Sequence, residues 1–321
     1  MSSQHLSFEQ NSILGRKVWF LLPLCCAISS VLFLLTGFDF VWSSAAKAML
    51  GALVAGVLFV VYARFRPDPI VRAMSEALLF MCLIGPPLGI MDYPLQALNF
   101  TLRDANFAAI DRAMGFDWMA HFTWISQHPL IGSLLVAIYQ SCMIQMAGII
   151  VLLSCTRRFA HLKEFLFLFV VTALIVSVVS TLVPAAGAFP FHAPDPSLRI
   201  GDDPMVGIYH WADLQALRNG TLKTVDLNHA SGLITLPSFH AIFAILLAWS
   251  TRGARWIFIP AVILNVLVCV SAISIGGHYL IDILCGAAIA FVSIWAYQQA
   301  PVWRRSLDDL IPAEGSMLTA G

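Results

Sequence analysis

Eight apolar stretches, each long enough to cross a bilayer, dominate this chain. They begin near Val18, Ala46, Ala73, Leu130, Phe165, Leu236, Trp256 and Gly277, and the Phe165 run continues to about Ala188. A spanning helix needs about 20 apolar residues, and its backbone must satisfy its own hydrogen bonds in hydrocarbon. Only 11% of the 321 residues are charged and 59% are hydrophobic, whereas soluble domains carry about 25% charged residues. The sequence therefore predicts an all-α, polytopic membrane helical bundle with about eight transmembrane helices.

An even number of spans puts both termini on one face, and the basic residues say which. Arg16, Lys17, Arg64, Arg66, Arg72, Arg157, Arg158, Lys163, Arg252, Arg255, Arg304 and Arg305 all fall in short links or ends on that face. The positive-inside rule makes it cytoplasmic, N and C termini included. Lysine plus arginine equals aspartate plus glutamate at 18 each, so overall charge points neither to nucleic acid nor to a polybasic anchor. The first seventeen residues are polar and precede no small-residue cleavage site, so the first span reads as uncleaved.

Two long links, about 96–128 and 186–235, lie on the outer face. In the first, residues 98–119 place Phe100, Phe107, Ile110 and Met114 near one helical stripe, with Arg103, Asp104, Asp111 and Arg112 mainly elsewhere. That pattern predicts one amphipathic interfacial helix, with Trp118 and Trp124 at headgroup depth. The third span carries Gly85-Pro86-Pro87, which predicts a kink, tolerable only against other helices or a cavity. The fourth carries Tyr139, Gln140, Ser141 and Gln145, which either bond between helices or line a cleft. All seven cysteines fall in or beside spans, which leaves no metal spacing and no disulfide framework outside the membrane. The organisation expected is a scaffold over 1–163, with the interfacial helix at 98–119, a catalytic transmembrane core over 164–300 and a cytoplasmic tail at 301–321.

The stretch Ser271–Gly286 reads S-A-I-S-I-G-G-H-Y-L-I-D-I-L-C-G. At four-residue spacing His278 and Asp282 share one helix face, about 6 Å apart. An ionisable pair at the rim of an apolar span is costly and tends to be functional. Either the two merely satisfy each other between packed helices, or the carboxylate holds the imidazole ready to act as nucleophile or base. Gly276 and Gly277, without side chains, admit a ligand close to a helix start and make a plausible anion seat.

A second motif, Thr235-Leu236-Pro237-Ser238-Phe239-His240, opens the sixth span. Pro237 suits the first helical turn, with Thr235 or Leu236 as cap. His240 then stands at a helix N-terminus on the same face as His278, with the Ser238 hydroxyl as an added donor. Two histidines so placed can face each other across one phosphate.

P-S-F-H at 237–240 and G-H-Y-L-I-D at 277–282 resemble the second and third motifs of the type-2 phosphatidic acid phosphatase superfamily. Their form is most similar to the branch containing inositol phosphorylceramide synthases and sphingomyelin synthases, and the likeness covers about the last 140 residues. The resemblance implies a membrane lipid phosphatase or phosphotransferase with no metal and no cofactor. It implies that His278 attacks phosphorus, that Asp282 orients it, and that His240 protonates the leaving oxygen and then activates a lipid alcohol or water as acceptor. Ser238, Gly277 and nearby amides would hold the phosphoryl oxygens of a phospholipid.

Two positions depart from the family pattern. An arginine six residues before the histidine is Ala272 here, and the lysine and Arg-Pro pair of the first motif are missing ahead of Pro237. The nearby Arg66-Pro67 falls on the cytoplasmic face. Arg218 and Lys223, in the link before the second motif, are the candidates to neutralise phosphate. They are otherwise loop charges paired with Asp213 and Asp226.

Three other functions fit worse. A proton-coupled transporter using His240, His278 and Asp282 would place them near mid-membrane between repeated halves. A metal hydrolase would show H-E-x-x-H or cysteine sets. A lipid-linked glycosyltransferase using Asp202-Asp203 would place its acidic group near the first outer link, which is very short here. The expected location is a bacterial inner membrane, with the site facing the periplasm.

Overall fold

The computed structural model of the chain describes residues 12–201 and 206–300. Asp202-Asp203 and the tail 301–321, with Arg304 and Arg305, lie outside the described residues. The chain is an all-α membrane bundle. Seven segments are long and apolar enough to span: α1 (Gly15–Thr36), α2 with its flanking turns (Trp42–Phe65), α3 (Pro69–Gln96), α6 (Pro129–Cys155), α7 (Phe159–Leu182), α11 (Arg255–Ser274) and α12 (Leu280–Gln299). Between them lie α4 (Asp104–Ala113), α5 (Trp118–Ser126), α8 (Ala188–His192), α9 (Trp211–Arg218) and α10 (Phe239–Ser250). Two-residue strands β1 (Asp39–Phe40) and β2 (Thr224–Val225) pair in parallel, tying the first outer link to the long one.

The sixth apolar run is the exception among the expected spans. Only α10, with 12 residues, is helical there, which is about 18 Å of rise against a hydrocarbon core of about 30 Å. Its far end is fixed: Arg158 donates to the carbonyls of Arg252 and Gly253 just beyond the helix, and Arg252 pairs with Glu164. The helix is therefore short at its other end, where His240 stands. Ser238 caps it, taking the Ala241 N–H on its side chain, where Thr235 or Leu236 was expected.

No break interrupts α3 at Gly85-Pro86-Pro87; the helix runs unbroken through its 28 residues with Pro86, Pro87 and Pro94 inside it. The Ser29 hydroxyl donates to the Pro87 carbonyl at 2.8 Å, tying α1 to the proline stretch.

The single interfacial helix over 98–119 is two helices, α4 and α5, parted at Gly115 with its φ of +81°. The acidic side of α4 is covered by the protein rather than by solvent. Asp104 and Asp111 are buried at 5% and 2% exposure, while Ile110 and Met114 are exposed at 41% and 44%. Trp124 is 51% exposed, but Trp118 is buried at 2% and donates its indole N–H to the carbonyls of Ile273 and His278. The acidic face turns inward because backbone donors wait there, a long-range demand that helical periodicity does not report.

Candidate active site

α11 ends at Ser274, and the chain reverses through Ile275-Gly276-Gly277 before α12 begins at Leu280. Gly277 adopts φ +66°, and a Cβ there would lie 2.6 Å from the Gly207 carbonyl oxygen, so backbone packing demands the glycine. Its own carbonyl accepts the Ala188 N–H at 2.7 Å. Gly276 lines the cavity described below and Gly277 does not.

His278 precedes α12 rather than riding on it, with Tyr279 as the cap residue and Asp282 in the first turn. The pair still meets. His278 Nδ1–H donates to Asp282 Oδ2 at 3.3 Å, and the same oxygen accepts the Tyr279 N–H at 2.9 Å. A carboxylate has no proton to give, so Nδ1 carries the hydrogen and Nε2 carries the lone pair. The Ser238 hydroxyl lies 3.3 Å from that Nε2 and donates to it. Ser238 N–H in turn donates to the Asp282 carbonyl, and Gly286 leaves room for the Ser238 carbonyl against α12. The two motifs are thus stitched together at the start of α12.

His240 stands opposite, its ring centroid 6.2 Å from that of His278. It stacks on Tyr139 of α6 at 4.3 Å, with the phenol oxygen 3.4 Å from Nδ1. A hydroxyl donating there leaves the N–H on Nε2. The N–H groups of Phe239 and His240, in the first turn of α10, have no intrahelical acceptor by geometry.

The first-turn amides of α12 are already used. Asp111 accepts Leu280 N–H at 2.8 Å and Ile281 N–H at 3.0 Å. Asp104 accepts the Ala186 and Gly187 N–H groups and the Tyr279 hydroxyl, all at 3.0 Å. Burial pushes the Asp111 carboxyl above the usual range, against the pull of its two amide donors. The first turn of α12, the helix start that follows Gly276-Gly277, therefore holds a carboxylate of the protein itself.

His278, His240, Tyr139 and Gly276 border one cavity of about 730 Å³. His210 and Tyr209 join them from the long outer link, which sequence reading did not single out. His210 Nε2–H donates to the Ala186 carbonyl at 2.7 Å, and burial holds its imidazole below the ordinary value. No spacing signal marks it; only the fold of the link brings it in. Away from this end the cavity walls are apolar, from Leu78 on α3, Ile150 on α6 and Phe169 on α7.

Arg218 and Lys223 are placed elsewhere. Arg218 donates to the Phe100 carbonyl at 3.0 Å, and the Lys223 ammonium sits 5.0 Å over the Phe38 ring. Neither lines the cavity, and among the described residues no lysine or arginine does. Ala272, at the family's arginine position, is fully buried.

A histidine paired with a carboxylate, opposed by a second histidine at one end of a largely apolar cavity, stands in a bundle of the membrane-protein class. The sequence matches the PAP2 superfamily over residues 105–296, and the chain belongs to that superfamily. Membership brings phosphatase or phosphotransferase chemistry on a lipid-like substrate. The matched region starts well before the fifth span and takes in most of α4, whose Asp111 holds the start of α12. No curated protein and no solved structure matches the chain.

Proposed function

We propose that the protein moves a phosphoryl-bearing head group from a membrane phospholipid to a lipid alcohol or to water, through a phosphohistidine on His278. The observation that carries this reading is the pairing of His278 Nδ1 with Asp282. It leaves Nε2 as the nucleophilic lone pair, 6.2 Å ring to ring from His240 at the mouth of an apolar cavity.

In the first step Nε2 attacks phosphorus, the bond to the leaving oxygen breaks, and His240, entering as the imidazolium, gives that oxygen its Nε2 proton and is left neutral. Asp282 stabilises the positive charge that forms on the imidazole ring. In the second step the acceptor hydroxyl gives its proton to His240 and attacks phosphorus, the P–N bond breaks, and His278 returns neutral. Splitting the transfer in two lets either water or an alcohol finish it. The phosphoryl oxygens are held by the free amides of Phe239 and His240, by Ser238 and by the positive end of α10. The reading needs no metal.

The absence of lysine and arginine from the described cavity wall favours a singly charged phosphodiester over a doubly charged phosphomonoester. That supports head-group transfer of the inositol phosphorylceramide synthase kind over simple phosphatase action. The basic links at the opposite end of the bundle support a site on the extracytoplasmic face, as in a bacterial inner membrane open to the periplasm.

The test uses purified protein in mixed micelles with EDTA, and wild type beside His278→Ala. Phospholipids are supplied with and without ceramide or diacylglycerol, and free phosphate and new lipid species are recorded together. A product that appears with wild type and vanishes in the variant supports the reading. A product that survives the substitution removes the phosphohistidine.

A further inference from the structure

One ionisable group in the cavity has no part in the transfer chemistry. Asp92 lies near the outer end of α3 and lines the same cavity as the histidines. On α3 the cavity stripe runs from Leu78 through Met81, Gly85 and Leu88 to Asp92. These positions recur at helical spacing over about 21 Å of rise. Every member but the last is apolar or glycine.

The neighbouring helices repeat the pattern. On α7 the stripe passes from Phe169 to Ser177, and on α6 from Ile150 back to Tyr139. Three helices thus give one groove an apolar floor and a polar head, at the end where His240 and His278 also stand. That is the shape of a slot for a lipid chain with its polar group uppermost.

Ser177 of α7 borders the same cavity as Asp92, and among the described residues Asp92 makes no ion pair with lysine or arginine. A carboxylate offers about four acceptor sites, more than a single neighbouring hydroxyl can fill. A charge in a spanning helix without a basic partner is held there at a cost. It repels phosphate and attracts hydrogen-bond donors. Asp92 is therefore suited to the acceptor lipid and not to the phosphate of the donor lipid.

We propose that Asp92, with Ser177, is the specificity determinant for the acceptor: it binds the donor-bearing head, amide N–H or second hydroxyl, of a lipid alcohol whose chain lies along α3, α6 and α7. An acceptor with one hydroxyl and only ester carbonyls beside it has no further donor for the carboxylate once that hydroxyl faces His240. One with an amide N–H and a second hydroxyl satisfies it. The inference rests on the transfer reading for the word acceptor, but the binding preference stands by itself.

The experiment therefore measures binding first, in His278→Ala so that no turnover intervenes. Displacement of a fluorescent lipid from the detergent-solubilised protein is followed with ceramide, and with diacylglycerol of matched chains. Ceramide is expected to bind more tightly, and adding Asp92→Asn to weaken it by about 10- to 100-fold, the loss of a charge-assisted hydrogen bond. Diacylglycerol is expected to change by less than about 3-fold. Ser177→Ala, which leaves the charge in place, should weaken ceramide in the same direction and less.

Equal loss for both lipids in a variant that keeps the parent's unfolding midpoint would assign Asp92 to packing and overturn the proposal. So would ceramide binding unchanged by Asp92→Asn. Turnover in the His278 parent then tests the transfer reading separately. Selective binding without any transferred product leaves the Asp92 assignment standing and removes the reaction.

Discussion

Asp111 and Leu280 are 169 residues apart in the chain, and Asp111 Oδ2 accepts the Leu280 N–H at 2.8 Å. With Ile281 N–H on its other oxygen, one side chain of α4 closes the start of the helix that carries Asp282. The positive end of α12 is answered by a protein carboxylate, whereas the first turn of α10 keeps two amides without an intrahelical acceptor. A helix lying outside the bundle thereby sets the position of His278.

Asp111→Ala removes an acceptor from two first-turn amides and is expected to cost about 1–2 kcal/mol, the upper range for lost helix caps. Asp111→Asn keeps one good acceptor and should recover part of this. Unfolding midpoints in detergent measure the first effect. For the reaction, a positioning residue lowers kcat and leaves KM nearly alone. A rise in KM at constant kcat would instead place Asp111 against substrate.

Asp282→Asn tests the tautomer argument. The amide can present its NH₂ to Nδ1 and drive the proton to Nε2, taking away the nucleophile. Transfer should slow by about 10²- to 10⁴-fold, the scale of general acid–base contributions, with little change in unfolding midpoint. An acid-labile phosphoprotein, sought after brief exposure to labelled lipid, should form slowly in this variant and not at all in His278→Ala. Wild-type rates from Asp282→Asn would end the case for an oriented histidine.

How much of this was legible follows from what each feature depends on. The spans were readable because hydrocarbon length and apolar runs are local, and His278, Asp282, Ser238 and His240 were readable because short motifs hold them. The short α10 was not, since Leu236-Pro237 extends the apolar run in composition while its backbone lies outside the helix. Nor was the inward turn of Asp104 and Asp111, whose partners lie 82 to 175 residues away. Arg218 and Lys223 were chosen for charge and proximity in sequence, but the fold of the outer link turns them to Phe100 and Phe38. His210 and Asp92 belong to no motif, and only the cavity joins them to the site.

Ser238 serves two neighbours, the Ala241 N–H and His278 Nε2, each at 3.3 Å. Ser238→Ala removes a helix cap and should cost about 1 kcal/mol. It also removes one neutral hydrogen bond from the reacting nitrogen or the phosphoryl oxygen that displaces it. That loss is expected to slow transfer by roughly 2- to 10-fold. Ser238→Thr retains the hydroxyl and should hold both stability and rate near wild type, if the buried site admits one methyl. Loss of stability with an unchanged rate would restrict Ser238 to capping.

His210 provides the pH prediction. Its imidazole is held below the ordinary 6.5, first by burial, with the nearby His278 adding to the effect and Asp104 and Asp213 opposing it. The Nε2 hydrogen is already given to Ala186, so a second proton has to enter on Nδ1. A histidine whose folded value lies below its unfolded value binds its proton more readily when unfolded. Its contribution is complete above about pH 6.5 and is lost as the pH falls through that value. The unfolding midpoint of wild type should therefore drop between pH 7.5 and pH 5.5. His210→Gln, which can still donate to the Ala186 carbonyl, should lose part of that drop. If both proteins respond alike, His210 does not contribute to the acid sensitivity, and the groups still titrating in the variant account for it.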